Sequence, residues 1–413
     1  MAEEFHTHEF DNGLMLVAQR MEVVSSAAMS IALPMGSARD PGDGAGSASV
    51  VANWLLRGAG NRDSRQLNDA LDALGCQHHE DARSQHLILS AIQLGRNLPE
   101  ILAIYSDVIR RPSLADDAFD SCRNLVSQAL DALEDEPLRM CNVLIREKFY
   151  PAPLGINPLG TKKSLSAVGP EGVRRSAGQC ITPRGTIVAV AGKFDWQHLL
   201  DTVGGHFSDW RGETPPEVSV SPASRGLTHL AKPTAQAQIT LAYPAATSDD
   251  EQYYAGRVAE MVLSGGMGAR LFTEVREKRA LVYAVIARYH CLKGHAGMFV
   301  YAGTTPERAQ ETLDVTVGEL RRLGDGVEED ELARARTQLK SALILQGEST
   351  PARAEALAMD FYHLGRLRSL AEISAAIDAI RVADVLEYIR AYPAAALTLL
   401  TIGPEELDTA DLP

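Results

Sequence analysis

Hydrophobic positions along the chain follow two spacings, one typical of strands and the other typical of helices. Leu14, Leu16 and Ala18 alternate with polar neighbours, and this period of two predicts a strand. Further along, intervals of three and four residues put five apolar side chains on one helical face: Ile101, Ile104, Tyr105, Val108 and Ile109. Pro112 ends that helix because proline cannot continue it. The chain is therefore predicted to mix short strands with amphipathic helices.

The same two patterns predict the other elements. The segment from Phe10 to Leu33 is interpreted as a hairpin, with a turn at Asn12-Gly13 and a second strand at Ala28–Leu33. In the first half we predict helices at Ser47–Leu56, Arg65–Leu74, Ala115–Leu133 and Leu138–Phe149, with strands at His86–Ile92 and Thr186–Ala191. In the second half we predict strands at Ile239–Ala242, Val282–Ala287 and Gly297–Ala302, with helices at Glu251–Leu263, Met267–Lys278, Pro306–Leu323 and Glu328–Leu345.

The order of these elements indicates an internal repeat. Pro183–Gly192, an apolar strand ending in glycine, has a counterpart in Pro393–Gly403, and Ala118–Tyr150 resembles Glu331–Tyr362 in pattern. A linker rich in proline and serine lies between the halves at 213–226, so we predict domains at 1–212 and 227–413. Runs of strands and runs of helices predict an α+β fold with two duplicated domains, each a mainly antiparallel sheet with helices packed on one face.

The length, charge and amino-acid composition limit the kind of protein that this chain can be. The chain has 413 residues, more than one hydrophobic core supports, and its 45% hydrophobic and 23% charged residues are typical of globular proteins. Its net charge of −14 argues against nucleic acid and an anionic membrane surface as partners, because both would be repelled. The acidic N-terminus and the lack of a long apolar run lead us to expect a cytoplasmic protein. The five cysteines are scattered, so we expect ordinary buried thiols.

Four motifs, in this order, carry a resemblance to a known family. They are Asn12-Gly13-Leu14, Gly36-Ser37-Ala38-Arg39-Asp40, Gly160-Thr161-Lys162-Lys163-Ser164-Leu165, and the long run from Gly265 to Arg279 followed by Leu281-Val282-Tyr283. Together they resemble the pitrilysin/insulinase family of zinc peptidases, in particular its short two-domain members akin to mitochondrial processing peptidase subunits. The likeness extends over nearly the whole chain, and it implies the same duplicated α+β fold.

Active members of that family carry His-x-x-Glu-His on the first helix and a further glutamate some way downstream. Residues one helical turn apart project to the same side, so two histidines can hold one Zn²⁺ while the glutamate polarises a bound water. In this chain Ser49, Ala52 and Asn53 stand at the three positions of the motif, and Ala129 stands at the distal position. We therefore expect this chain to bind no zinc or other cofactor, and we expect zinc in a partner subunit.

Arg276 and Tyr283 are the candidate site residues. Arg276 stands four residues after Phe272 and borders the apolar side of its helix, whereas Glu274 and Lys278 are expected to face water. This geometry does not distinguish Arg276 from Arg279, which stands four residues after Val275. The resemblance selects Arg276, because the family's substrate-contacting arginine and tyrosine have this spacing. The alternative is a buried tyrosine beside an ordinary surface arginine.

Two other clusters have plainer interpretations. His78-His79-Glu80-Asp81 contains metal-binding residue types, but on a strand His78 and Glu80 share one face while His79 and Asp81 share the other. A polar edge strand is therefore favoured over a metal site. Gly265-Gly266-Met267-Gly268 opens a helix and suits a chain break better than an anion site, because it lacks the lysine of a phosphate-binding loop.

These observations predict a non-catalytic subunit of a heterodimeric metallopeptidase. A homologous zinc-bearing subunit would be its partner, a peptide its substrate, and Arg276 and Tyr283 would act on that peptide in trans. Two alternatives remain open on the sequence, namely a structural scaffold and a peptide-binding homodimer without a role in proteolysis.

Overall fold

A computed structural model describes residues 3–412 of the chain. The strands are β1 (Glu4–Glu9), β2 (Met15–Arg20), β3 (Ser26–Leu33), β4 (Gly58–Ala59), β5 (Arg62–Asp63), β6 (Gln77–Ala82), β7 (Leu87–Leu94), β8 (Ile187–Gly192), β9 (Leu227–Ala231), β10 (Ala237–Pro244), β11 (Val282–Leu292), β12 (His295–Thr304) and β13 (Thr398–Gly403). The α-helices are α1 (Ser47–Trp54), α2 (Ser64–Ala73), α3 (Leu98–Arg110), α4 (Asp116–Ala132), α5 (Pro137–Phe149), α6 (Lys162–Ala167), α7 (Pro170–Cys180), α8 (Trp196–Phe207), α9 (Tyr253–Ser264), α10 (Ala309–Arg322), α11 (Glu329–Glu348), α12 (Thr350–Leu364), α13 (Leu370–Ala379) and α14 (Val382–Ala391). Within residues 3–412, no helix has both the length and the apolar character needed to span a bilayer.

The chain folds into two compact units, each built from separated segments. The first unit contains the chain up to Ala132, then Ile156–Val220 and Gln346–Arg368. The second contains Leu133–Gly155, Ser221–Leu345 and the chain from Ser369 onward. The division at 213–226 predicted from sequence is thus incomplete, because α5 and α12 each belong to the unit formed mainly by the other half. The reason is packing: the apolar side of each of these helices is buried on that unit's sheet.

The first unit has a six-stranded sheet in the order β1-β2-β8-β3-β7-β6. Its β2 and β8 are parallel, whereas its other pairs are antiparallel. The hairpin predicted between β2 and β3 is therefore wrong, since β8 lies between them. All six residues of β8 are buried, which is typical of a central strand. The Asn12-Gly13 turn instead joins β1 to β2, with Gly13 in the left-handed region at φ 84°.

Helices cover both faces of this sheet, although most of them lie on one. The larger core joins β2, β3 and β7 to α1, α3, α4, α7 and α8. On the opposite face α12 covers the strands, through Ala354, Leu357 and Ala358. The prediction of helices on one face holds for the main layer, and α12 adds a helix to the other.

The second unit repeats this plan with a five-stranded sheet in the order β11-β12-β10-β13-β9. Strand for strand this order matches β6-β7-β3-β8-β2 of the first unit, and β1 has no counterpart. Its main core joins the sheet to α9, α10, α11, α13 and α14, while α5 packs on the other face through Cys141, against Tyr301 and Ile402. The duplicated, mainly antiparallel α+β fold is confirmed.

Most predicted helices and strands are found within a few residues of their expected bounds. The exception is Met267–Lys278, where the helix begins only at Arg270, after the glycine-rich break, and is π-helical over Phe272–Glu277. Gly266 in that break has a φ of 158°, an extended conformation. Four of the five cysteines are buried and Cys291 is half-buried, and none of the five, all within residues 3–412, forms a disulfide.

Candidate functional site

Helix α1 carries the positions of the family's metal motif and is held firmly in the first unit. Seven of its eight residues are buried, and only Asn53 is half-buried. Asp40 caps its start by accepting hydrogen bonds from the backbone N–H groups of Gly46 (2.8 Å) and Ala48 (2.9 Å). Burial raises the pKa of Asp40 to about 7, against these backbone hydrogen bonds, which lower it. The Gly-Ser-Ala-Arg-Asp motif therefore anchors the helix.

The close fit of α1 also explains the second motif. Gly160 has a φ of 70°, and a Cβ atom there would lie 2.2 Å from the carbonyl oxygen of Ala45. The Ser164 hydroxyl donates a hydrogen bond to the same carbonyl at 2.8 Å. The turn before α6 thus fixes the chain just ahead of α1, and only glycine fits at residue 160.

The side chains at the motif positions of α1 bind the protein itself. Ser49 Oγ donates to the carbonyl oxygen of Pro158 at 2.7 Å, and Asn53 Nδ2 donates to the carbonyl oxygen of Ser49 at 2.9 Å. Ala52 and Ala129, the latter half-buried on α4, offer no donor atom. In the described part of the chain, no three His, Cys, Asp or Glu side chains are grouped so that they could hold a metal. This donor set does not fit the zinc ion that the family implies.

A polar pocket lies at the same place. It has a volume of ≈ 210 Å³ and is lined by Ala52, Asn53, Leu56, Arg57, Asn68 and Glu80. These residues come from α1, the turn after it, α2 and β6. The pocket therefore carries one cationic and one anionic side chain where an active relative would carry its metal ligands.

Glu80 is fixed in that pocket by two neighbours. His78 Nδ1 lies 3.0 Å from Glu80 Oε1, and the buried Tyr105 donates its hydroxyl to the same oxygen at 3.3 Å. The hydrogen bond to Glu80 raises the pKa of His78, against burial. As predicted, His78 and Glu80 share one face of β6. No sequence pattern pointed to Tyr105 or Arg57 as part of this site, because α3 and the turn after α1 bring them here only in the folded chain.

Strand β6 is an edge strand. It pairs with β7 on one side and is the last strand of its sheet, and its first three residues are exposed. Its outer backbone groups are available to an extended peptide, which could add to the sheet as a further strand.

In the second unit, Tyr283 lies near the start of the edge strand β11. The β11–β12 register shifts between Val282 and Ala284, so Tyr283 falls in a β-bulge and has no residue opposite it. Its side chain is 61% exposed. Bulges redirect side chains and are frequent beside active sites. The edge strand thus presents a tyrosine hydroxyl to solvent.

Arg276 lies on the adjoining π-helical turn, which packs against β11. Its Cζ atom lies 5.2 Å from the ring centroid of Phe272, and the residue is exposed without an ion pair to any other residue in 3–412. Arg279, by contrast, donates to the side chain of Glu274 at 2.8 Å and to its carbonyl oxygen at 2.8 Å. The uncommitted guanidinium is therefore that of Arg276.

Glu274 does not face water as the helical pattern predicted. Its side chain is only 14% exposed, and it accepts hydrogen bonds from Lys278 at 2.7 Å and from Arg279. The bonds from these two residues, Lys278 first, lower the pKa of Glu274. The π-helical turn rotates this side chain relative to an α-helix, which explains why a 3.6-residue period misplaced it.

Known protein families and relatives resemble this chain over most of its length. Residues 15–162 match the family profile described as insulinase (peptidase family M16), and residues 170–339 match the profile described as the peptidase M16 inactive domain. A relative from Rickettsia bellii, described as an uncharacterized zinc protease, is 24% identical over 98% of this chain and 99% of its own length. A relative from Mycobacterium tuberculosis with the same description is 26% identical over 90% of this chain and 87% of its own length.

Solved structures show the same fold. A protein from Pseudomonas fluorescens described as a peptidase M16 inactive domain superposes with a TM-score of 0.88 at 18% identity, covering 98% of this chain and 99% of the other. A protease from Helicobacter pylori gives a TM-score of 0.89 at 16% identity, covering 98% and 100%. The two profiles together account for most of the chain, in the order that the two repeats require. This chain belongs to the M16 peptidase family, the family of pitrilysin and insulinase.

Proposed function

We propose that this chain is the metal-free subunit of a heterodimeric M16 peptidase. A homologous subunit with an intact His-x-x-Glu-His motif supplies the metal and the general base. This chain helps to enclose the peptide and contributes Arg276 and Tyr283 to the reaction. Its place of action is the cytoplasm.

The observation that carries this proposal is the state of α1. The residues at the motif positions are not only the wrong type but are hydrogen-bonded internally, as Ser49 and Asn53 are to backbone carbonyls. A helix in this state cannot activate a water molecule. The rest of the fold is nevertheless kept, including the open edge of β6 and the bulged tyrosine on β11. The chain has lost its metal ligands but has kept the edge of β6 and the exposed Tyr283, and this supports a role that uses those two surfaces.

Tyr283 and Arg276 have the chemistry that this role needs. As water attacks a peptide carbonyl, negative charge develops on the carbonyl oxygen, and the exposed Tyr283 hydroxyl donates a hydrogen bond to it. Arg276 has no competing carboxylate among the described residues, so its guanidinium is available to bind carbonyl oxygens of the substrate backbone. Activation of the water belongs wholly to the partner.

Reconstitution with a zinc-bearing homologue tests this proposal. The mixture should cleave peptides that neither chain cleaves alone, and Tyr283→Phe should lower kcat by about 10²–10³-fold, the usual effect of removing one oxyanion donor. Arg276→Ala should raise KM and lower kcat. Arg390→Ala, an exposed arginine on α14 of the same unit, is the matched control and should leave both constants unchanged.

Three results would contradict the proposal. Chelator-sensitive peptidase activity of the purified chain alone would show that it has its own metal site. Activity of the mixture that is unaffected by both Tyr283→Phe and Arg276→Ala would instead favour a scaffold. A stable homodimer that binds peptide without any cleaving partner would favour the peptide-binding alternative.

A further inference from the structure

The pocket beside the motif positions of α1 is a cavity that the proposed peptidase role does not use. Its volume of ≈ 210 Å³ is the space of roughly seven water molecules in the liquid, so it suits a small organic molecule. Its lining comes from α1, the turn after it, α2 and β6, and all six residues belong to the first unit: Ala52, Asn53, Leu56, Arg57, Asn68 and Glu80.

The pocket contains charges of both signs that do not pair with each other. Within residues 3–412, Arg57 forms no ion pair with Glu80 or with any other carboxylate. Arg62, the next arginine along the chain, instead pairs with the buried Asp107, its Nη1 atom lying 3.2 Å from Asp107 Oδ2. Arg57 and Glu80 therefore line one space without meeting across it.

The side chain beside Arg57 is a thiol, which does not balance its charge. Cys122 is fully buried, and burial raises the pKa of its thiol, against a hydrogen bond with Arg57 that lowers it. A thiol with a raised pKa is neutral at pH 7, whereas a guanidinium keeps its charge. Arg57 thus brings an unmatched positive charge to the pocket.

Glu80 is held in place by one of its two oxygens. Its side chain is 12% exposed, and Oε1 lies 3.0 Å from His78 Nδ1 and accepts a hydrogen bond from the Tyr105 hydroxyl at 3.3 Å. Oε2 accepts no hydrogen bond from any residue that the structure describes. The pocket therefore contains a positioned carboxylate oxygen that is available to a donor.

The two amides add further hydrogen-bonding atoms. Asn53 Nδ2 donates to the carbonyl oxygen of Ser49 at 2.9 Å, which leaves Asn53 Oδ1 as an acceptor. The exposed Asn68 makes no side-chain hydrogen bond to the described part of the chain, so its NH₂ group is an available donor. The pocket thus has a donor beyond Arg57 and an acceptor beyond Glu80.

We propose that this pocket binds a free α-amino acid in its zwitterionic form. The carboxylate of the amino acid binds the guanidinium of Arg57, whose planar fork of N–H donors matches it, and accepts a hydrogen bond from Asn68. The ammonium group donates to Glu80 Oε2 and to Asn53 Oδ1. A small apolar side chain then lies against the remaining lining, Ala52 and Leu56.

A ligand with both charges fits this pocket better than one with a single charge. A simple anion would bind Arg57 but face the carboxylate of Glu80, and a simple cation would face the guanidinium. An α-amino acid carries its two charges on one carbon atom, so it can match both side chains at once. The inference stands apart from the proposed function, because the pocket includes neither Arg276 nor Tyr283.

Calorimetric titration of the whole chain with L-valine tests the site. L-Valine should bind saturably, because its short branched side chain suits the apolar part of the lining. L-Valinamide lacks the carboxylate and N-acetyl-L-valine lacks the ammonium group, so each should bind at least about tenfold more weakly, the usual loss for a hydrogen bond to a charged group. Absence of L-valine binding, or equally tight binding of either derivative, would overturn the proposal.

Variants of the two charged residues locate the binding. Arg57→Gln and Glu80→Gln should each weaken L-valine binding by about tenfold or more. Arg65→Gln and Asp81→Asn are the matched controls, since Arg65 is 90% exposed on α2 and Asp81 lies on the opposite face of β6 from Glu80. Both controls should bind L-valine like the wild type.

An exposed amide keeps the test decisive if a charge variant fails to fold. Asn68→Ala changes an exposed side chain, so it should keep the melting temperature of the wild type and weaken L-valine binding by about threefold to tenfold. Unchanged binding by all folded variants of Arg57, Glu80 and Asn68, or equal weakening by Arg65→Gln, would overturn the proposal.

Discussion

The two units have the same strand order, yet the helices that follow their matching central strands differ in the polar side chains they carry. These helices are α1 in the first unit and α9 in the second. In the first unit, α1 follows the strand β3 and carries small residues whose side chains bond to nearby carbonyls. In the second, α9 follows the corresponding strand β10 and carries an ion pair with a buried carboxylate, in which Nε of the half-buried Arg257 donates to Glu260 at 2.9 Å. The same place in the repeat thus holds an uncharged helix in the first unit and a helix with an ion pair in the second.

The edge strands β6 and β11 also differ, but here it is the second unit that exposes a polar side chain. On β6 the side chain of Glu80 has partners within its own unit, because it accepts a hydrogen bond from Tyr105 and lies beside His78. On the corresponding strand β11, a bulge turns Tyr283 out to solvent. The first unit thus has the family's fold without metal ligands at the motif positions of α1, whereas the second exposes Tyr283 and Arg276 on and beside its edge strand.

The largest effect on stability is expected from the α9 ion pair. Arg257→Leu leaves the Glu260 carboxylate, 3% exposed, without its cation, so it should lower the free energy of unfolding by about 3–5 kcal/mol. The double variant Arg257→Leu/Glu260→Leu should recover most of that loss. On α1, Asn53→Ala should cost only about 1 kcal/mol, because it removes one neutral hydrogen bond. Denaturant titration measures all three, and equal losses on the two helices would contradict the contrast.

The next largest effect concerns how α1 is held in place. Gly160→Ala adds a Cβ atom against the Ala45 carbonyl in a left-handed conformation, so it should cost roughly 2–4 kcal/mol. Gly75 is the control, since its φ of 63° is similar and no atom lies within 4 Å of its added Cβ. Gly75→Ala should cost only about 1–2 kcal/mol. Because the two glycines have similar φ angles, the difference between the melting temperatures of the two variants measures the effect of the contact with the Ala45 carbonyl.

A smaller, pH-dependent effect is expected at Asp40. Burial raises its folded-state pKa to about 7, above the ordinary value of 3.8, so the folded chain binds more protons than the unfolded chain between these pH values. The contribution of Asp40 to stability should therefore fall as the pH rises from about 4 to 7. The wild type should lose stability relative to Asp40→Asn over that range, by at most about 1.4 kcal/mol per pH unit, the limit for one proton. A constant difference between the two melting curves would argue against a buried, titrating carboxyl group.

The smallest expected effect is that of metal removal. The motif positions of α1 offer no imidazole or carboxylate, so a chelator should leave the melting temperature of the isolated chain unchanged. Metal analysis after dialysis should find far less than one zinc per chain. One zinc per chain, bound near Asn53, would remove the distinction between this chain and an active subunit.

Local patterns predicted most of the elements because those patterns depend on neighbours in the chain. The face of Ile101–Ile109 gives α3, and the alternation in β6 places His78 with Glu80. Where a turn departs from the usual period, the prediction failed, as it did for the buried Glu274 in the π-helical turn. The bulge at Tyr283 left no mark in the sequence, because it depends on register with β12.

Residue types at fixed spacings along the chain were enough to predict the duplicated α+β fold, the family and the loss of the metal ligands. Two features appeared only in the folded chain, namely the place of β8 between β2 and β3 and the packing of α5 and α12 in the unit formed mainly by the other half. The folded chain also places Arg146 over the ring of Phe299 and Arg225 over the ring of Phe149. The physical reason is that strand order, helix exchange and charge pairing depend on contacts between residues far apart in the chain, which no local pattern encodes.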